Sequence, residues 1–149
     1  MTYCVGMRLD RGLIFMSDTR TNAGVDDVSQ VRKMRHWENT GERAITLLSA
    51  GNLATTQSVV SLLDERTKAP SERDPSIMSA PSMFQIATIV GDTLREVISS
   101  LRHEGPEASA PFRASLILGG QIAGSEPRLF LIYPEGNFIE AGDDSPFFQ

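Results

Sequence analysis

The chain has 149 residues, 40% of them hydrophobic, and a formal net charge of -5, a balance that fits one globular domain with a real core and is short for two. The acidity argues against a nucleic-acid partner, which needs clustered Lys and Arg, and no apolar stretch reaches the roughly 18 residues of a membrane span. A single cysteine excludes an internal disulfide, and with only two histidines the means for a metal centre are poor.

The first residues do not lay out a charged region, an apolar region and a cleavage site, so they predict a cytoplasmic protein without an export signal. Thr2 to Leu9 alternates with Val5, Met7 and Leu9 on one face, Asp10-Arg11-Gly12 is a turn, and Leu13 to Asp18 returns as the partner strand of a hairpin. Leu13 to Met16 is apolar on both faces, which suggests a sheet covered on both sides. Asp18 to Gly24 is small and polar and reads as a loop.

Val31 to Trp37 is a short strand carrying the best basic cluster, Arg32-Lys33-Met34-Arg35, which is too short for a DNA-reading surface and reads as a small positive patch. Residues 38–42 turn into a strand from Arg43 to Ala50. Gly51-Asn52 interrupts that strand, and a helix follows from Leu53 to about Arg66. Its first turn offers backbone N–H groups with no partner inside the helix.

Thr67 to Ala80, rich in Pro and Ser, reads as a loop. Ser82 to Leu101 is the best helix, with one apolar stripe through Met83, Ile86, Ala87, Val90, Leu94, Val97, Ile98 and Leu101; Gly91 within it suggests another element packed close by. Beyond a polar connection from His103 to Pro111, strands are predicted at Phe112 to Leu118, Arg128 to Tyr133 and Phe138 to Ala141. Gly119-Gly120 reads as a change of direction and residues 134–137 as a turn. Hairpin-rich strands with helices grouped between them fit an α+β layered fold, in a single domain over residues 1–149. The apolar end, Ser145-Pro146-Phe147-Phe148-Gln149, suggests that the chain stops short of its natural terminus.

Thr2 follows a methionine that an aminopeptidase removes readily before a small residue, leaving a free α-amine beside a hydroxyl: a base and a nucleophile in one residue. The unperturbed amine has a pKa near ~8, so it accepts a proton at neutral pH. A lysine such as Lys33 would favour the neutral amine and stabilise charge on the hydroxyl oxygen, Asp18 would hold that lysine, and Gly51 would aim an N–H at an oxyanion. Each residue also has an ordinary structural reading: Thr2 an edge-strand residue, Asp18 a loop cap, Lys33 a solvated cation, Gly51 the start of a helix.

The opening Thr-Tyr-Cys-Val-Gly-Met-Arg-Leu-Asp-Arg-Gly-Leu-Ile-Phe-Met-Ser-Asp-Thr-Arg-Thr-Asn-Ala-Gly, followed in order by Val31 to Met34 and Ser49 to Asn52, resembles proteasome β-type subunits and above all the bacterial proteasome-related family called Anbu. The resemblance continues through Tyr133 to Ile139 and the final Phe-Phe-Gln. It implies a four-layer αββα N-terminal-nucleophile hydrolase fold, here without its C-terminal part. It also implies Thr2 as nucleophile, Asp18 and Lys33 as the supporting charged pair, and Gly51 as oxyanion donor. Thr21 and Ala50 would line a groove in which an extended peptide adds as a strand.

His36 and His103 take no role in that scheme, Cys4 is an ordinary strand residue, and no cofactor or metal is implied. The resemblance further implies a homo-oligomer, a ring or a related assembly, acting on peptides; no nucleic acid or membrane is indicated, and whether an ATPase is a partner stays open. Three readings follow: a threonine peptidase, an inactive assembly or peptide-binding subunit of the same fold, and a small-metabolite amidohydrolase with the same Thr2 chemistry. A molecule that keeps Met1 should be inert, because an acylated nitrogen is not a base.

Overall fold

The computed structural model describes residues 2–22, 28–68, 75–101 and 111–149. In chain order the elements are β1 (Cys4–Leu9), β2 (Gly12–Ser17), β3 (Arg20–Asn22), β4 (Val28–Gln30), β5 (Met34–Asn39) and β6 (Arg43–Gly51). The helices α1 (Leu53–Lys68) and α2 (Met83–Ser100) come next, then β7 (Ala114–Ile122), β8 (Arg128–Ile132), β9 (Phe138–Glu140) and β10 (Phe147–Phe148). All pairings are antiparallel, in sheets ordered β10-β1-β2, β3-β4 and β5-β6-β7-β8-β9.

The central strands carry continuous apolar runs because both their faces are covered. Along β6, β7 and β8 successive side chains alternate between two cores. Ile45, Leu47, Leu116, Leu118, Phe130 and Ile132 face the helices, packing on the α2 stripe of Met83, Ile86, Val90 and Leu94. Leu48, Ile117 and Leu129 face the other way, onto Cys4, Phe15 and Phe148 of the three-stranded sheet. Each such fully buried Leu or Ile contributes about 1.5–3 kcal/mol of burial free energy. The layers are therefore a helix pair, a five-stranded sheet and a three-stranded sheet: an α+β fold.

Ser82 starts α2, its hydroxyl accepting from the Gln85 amide at 3.2 Å. The approach to that helix is pinned by the buried guanidinium of Arg43, which donates to the carbonyls of Ile77 (3.0 Å) and Ala80 (2.8 Å). Arg66 ties α1 to α2 through Thr93 at 2.6 Å and Glu96 at 3.1 Å. Gly91 lies against the turn between β8 and β9, as its place in the stripe suggested.

Several expectations need correction. The loop predicted from Asp18 onward contains β3, which pairs with β4 through Thr21 opposite Ser29. The strand predicted from Val31 begins only at Met34, because its first partner is Leu48. Gly119 and Gly120 do not turn the chain. They continue β7 opposite Thr46 and Ile45; a Cβ at Gly119 would stand 2.5 Å from the Phe15 ring, and one at Gly120 would stand 2.4 Å from the Ala44 carbonyl oxygen of β6. The final Phe147-Phe148 is itself a strand, paired with β1 through Gly6 and Met7. The outer face of the β10-β1-β2 sheet, expected to be covered, carries Ile14 at 46% exposure and Met16 at 54%, because no described residue packs over them. The connection around His103 lies outside the described residues.

Candidate active site

Asp18 follows β2 directly and Lys33 directly precedes β5, so two strand ends bring together residues fifteen positions apart. The Lys33 ammonium donates to both carboxylate oxygens of Asp18 at 2.9 Å and to the Arg20 carbonyl at 2.5 Å. Those three acceptors match the three protons of an ammonium. The Lys33 side chain is only 8% exposed and that of Asp18 30%. A buried cation needs such partners, since desolvation alone disfavours its charge.

The same carboxylate holds the N-terminal segment. Tyr3 donates its amide to Asp18 Oδ1 at 2.9 Å, and the Asp18 amide returns a bond to the Tyr3 carbonyl at 3.0 Å. Thr2, half-buried, is the residue immediately before this double tie. Sequence reasoning missed three main-chain partners here: the Tyr3 amide, the Arg20 carbonyl and the Ser49 amide, which donates to the Lys33 carbonyl at 3.0 Å. No residue-type signal marks them, because every residue carries the same backbone atoms.

The Lys33 ammonium above all, helped by the amides of Tyr3 and Arg20, holds the Asp18 carboxyl down to about 2. A carboxyl depressed in the folded state stabilises it above the unfolded value near ~3.9, and that stabilisation is lost as the pH falls through the folded value. Melting temperatures of the parent and of Asp18→Asn should therefore differ most at neutral pH, with the parent higher. They should converge between pH ~4 and ~2. A gap that persists undiminished at the acid end would show that Asp18 is not the group titrating.

Gly51 ends β6 opposite Ala114 with φ of +109°, and a Cβ there would stand 2.6 Å from the Arg113 carbonyl oxygen. Both conditions require glycine. Ser49 donates its amide to Lys33, and Asn52 donates its own to the Arg113 carbonyl at 3.0 Å on the opposite side. Successive N–H groups of a strand alternate in direction, so that of Gly51 points the same way as that of Ser49, toward the Lys33 side. Asn52 then caps α1, its side-chain oxygen accepting from the Thr55 amide at 3.0 Å.

Thr21 lies in β3, one residue past the carbonyl that holds Lys33, and Ala50 lies in β6 opposite Ser115. Cys4 faces the inter-sheet core, its thiol pointing at the Ser49 carbonyl at 3.7 Å and pushed up in pKa by burial. His36 is exposed on β5, with Nδ1 3.1 Å from Thr46 Oγ1.

Two clefts share Lys33 as a wall. One, of 480 Å³, runs between residues 30–33 and the face of α1 that carries Leu53, Val60 and Asp64. The other, of 490 Å³, lies toward Ser17, Thr19 and His36. Among the described residues no group of three or more His, Cys, Asp and Glu is placed to hold a metal ion. No described helix is long and apolar enough to cross a membrane.

Neither the family models nor the curated proteins gave a match, whereas solved structures did. Anbu, described as an ancestral beta-subunit, from Yersinia bercovieri superposes with a TM-score of 0.89 at 50% identity, over 99% of this chain and 59% of its own. Anbu from Hyphomicrobium sp. strain MC1 gives 0.87 at 48% identity, with the same coverage of both chains. The subunit in a helical assembly of the Anbu complex from Pseudomonas aeruginosa gives 0.87 at 42%, again over 99% and 59%. The chain spans about three fifths of the length of these relatives, and over that span it belongs by fold and sequence with the proteasome-related Anbu proteins.

Proposed function

We propose that the chain is the nucleophile-bearing part of a threonine-type peptidase or amidohydrolase subunit, with Thr2 as its nucleophile once Met1 is removed. The observation that carries this reading is the single carboxylate, Asp18, that grips both the peptide link after Thr2 and the ammonium of Lys33. In this mechanism the free α-amine of Thr2 takes the proton from its own hydroxyl, and the oxygen attacks a substrate carbonyl. Lys33 keeps the amine neutral by like-charge repulsion and stabilises the developing alkoxide. The Gly51 N–H receives the tetrahedral oxyanion.

The protonated amine next gives its proton to the leaving nitrogen, producing an ester on Thr2 and a released amine. Water, deprotonated by the same amine, then hydrolyses the ester to free acid and restores the hydroxyl. A peptide lying as an added strand beside Thr21 and Ala50 would present its carbonyl to Thr2. The protein would act in the cytoplasm, and as a homo-oligomer; the helical assembly of its Pseudomonas relative supports the oligomer.

The helical assembly of the Pseudomonas relative also fits one other reading, a subunit of the same fold that assembles or binds peptide without cleaving it. Intact-mass analysis of assembled protein after an epoxyketone or β-lactone probe separates the two. The expected result is a threonine N-terminus and one adduct on Thr2. Folded protein with that terminus and no adduct removes the peptidase reading and leaves the second.

A further inference from the structure

We infer that the clefts flanking Lys33 select a carboxylate-bearing side chain, Glu or Asp, on the acyl side of the bond that is cut, and that Arg32 is the selecting cation. The inference rests on the peptidase reading above and adds its substrate class. In a chain with a net charge of -5, the segment Arg32-Lys33-Met34-Arg35 places three cations within four residues, and all three line both clefts.

Two of these cations are already paired. Lys33 is held by Asp18 at 2.9 Å, and Arg35 donates to Asp64 at 2.8 Å. Arg32 is exposed and has no ion partner among the described residues. Among the described residues Asp64 is the one carboxylate lining either cleft, and it also accepts from the Trp37 indole N–H at 2.7 Å. A substrate ammonium would meet three cations and a carboxylate already bonded twice, whereas a substrate carboxylate would meet a guanidinium without an ion partner among the described residues. On the peptidase reading the attacked carbonyl lies at Thr2, and Asp18, which holds both the Tyr3 amide and the Lys33 ammonium, keeps the shared wall of the two clefts close to that point. Val31, Leu53 and Val60 in the cleft against α1 accommodate the methylenes of a Glu side chain.

The test compares fluorogenic peptides that differ only in Glu or Gln before the scissile bond, a pair equal in size and different in charge. They are assayed with assembled protein freed of Met1, alongside probe labelling of Thr2. The Glu peptide should have the higher kcat/KM by about tenfold at low salt, and the ratio should approach one near ~1 M salt, where charges are screened within about 3 Å. Arg32→Glu should invert the order and Arg32→Lys should keep it. Arg32 is exposed and lies outside the Asp18–Lys33 contact, so both variants should melt at the parent's temperature, and the Glu-to-Gln ratio is compared within each protein.

Equal cleavage of the two peptides, a preference for a Lys peptide, or an unchanged Glu preference in Arg32→Glu would overturn the inference while leaving the peptidase reading intact. No cleavage of any peptide together with no Thr2 adduct would overturn both.

Discussion

Lys33→Ala is expected to lower kcat/KM, and the rate of Thr2 labelling, by about a thousandfold or more, at the upper end of what proton-transfer assistance supplies. On the peptidase reading, removing the ammonium takes from the Thr2 amine the neighbour that keeps it neutral, and from the attacking oxygen a stabilising charge. It also leaves the Asp18 carboxylate facing an empty slot, so some stability is lost together with activity. Lys33→Ala/Asp18→Ala separates the two effects: it should regain part of the lost melting temperature and none of the labelling. Lys33→Arg should not rescue activity. A planar guanidinium cannot reproduce two 2.9 Å contacts to one carboxylate and a 2.5 Å contact to the Arg20 carbonyl within a slot that leaves the side chain 8% exposed. Labelling at the parent rate in folded Lys33→Ala would exclude Lys33 from the chemistry.

Gly91→Ala should be the most damaging of the single-methyl additions within the helices. A Cβ at Gly91 would lie 2.2 Å from the carbonyl oxygen of Gly136, and one at Gly136 would lie 2.7 Å from that of Gly91. Two backbones cross here with no side chain between them, so rotamer changes relieve nothing. Alanine gains about 1 kcal/mol in helix propensity over glycine. Prising the helix from the turn costs more, and the net expected loss is about 2 kcal/mol. In a chain of this size that lowers the melting temperature by roughly 4–8 °C. Gly142→Ala, where nothing stands within 4 Å of the added carbon and φ is not positive, should be close to neutral. A melting temperature unaffected by Gly91→Ala would mean that α2 does not touch the turn.

The parts of the fold that could be read from residues are those whose order follows from hydrophobic period. The α2 stripe is one-sided because a single sheet covers it, and the runs in β6, β7 and β8 are two-sided because two layers do. The strands β3 and β4 were not readable: three residues long and mostly polar, they are defined by the ladder that pairs Arg20, Thr21 and Asn22 with Gln30, Ser29 and Val28. The Gly119-Gly120 pair has the composition of a turn, yet its role is decided by the Phe15 ring and the Ala44 carbonyl, which lie far away in sequence. At the candidate site the charged side chains Asp18 and Lys33 were visible as a pair through family likeness, and the structure brings them into contact. The carbonyl of Arg20 and the amides of Tyr3 and Ser49 were not visible, since recognition through main-chain atoms leaves no trace in residue identity.

The paired hydrogen bonds between Tyr3 and Asp18 bear on how such a nucleophile comes into being. The clamp closes on the third residue, so trimming the first leaves its grip untouched. On the peptidase reading, excision of Met1 alters the basicity of one nitrogen without requiring that nitrogen to travel. Maturation would then be a chemical event in a finished scaffold, with no rearrangement to await.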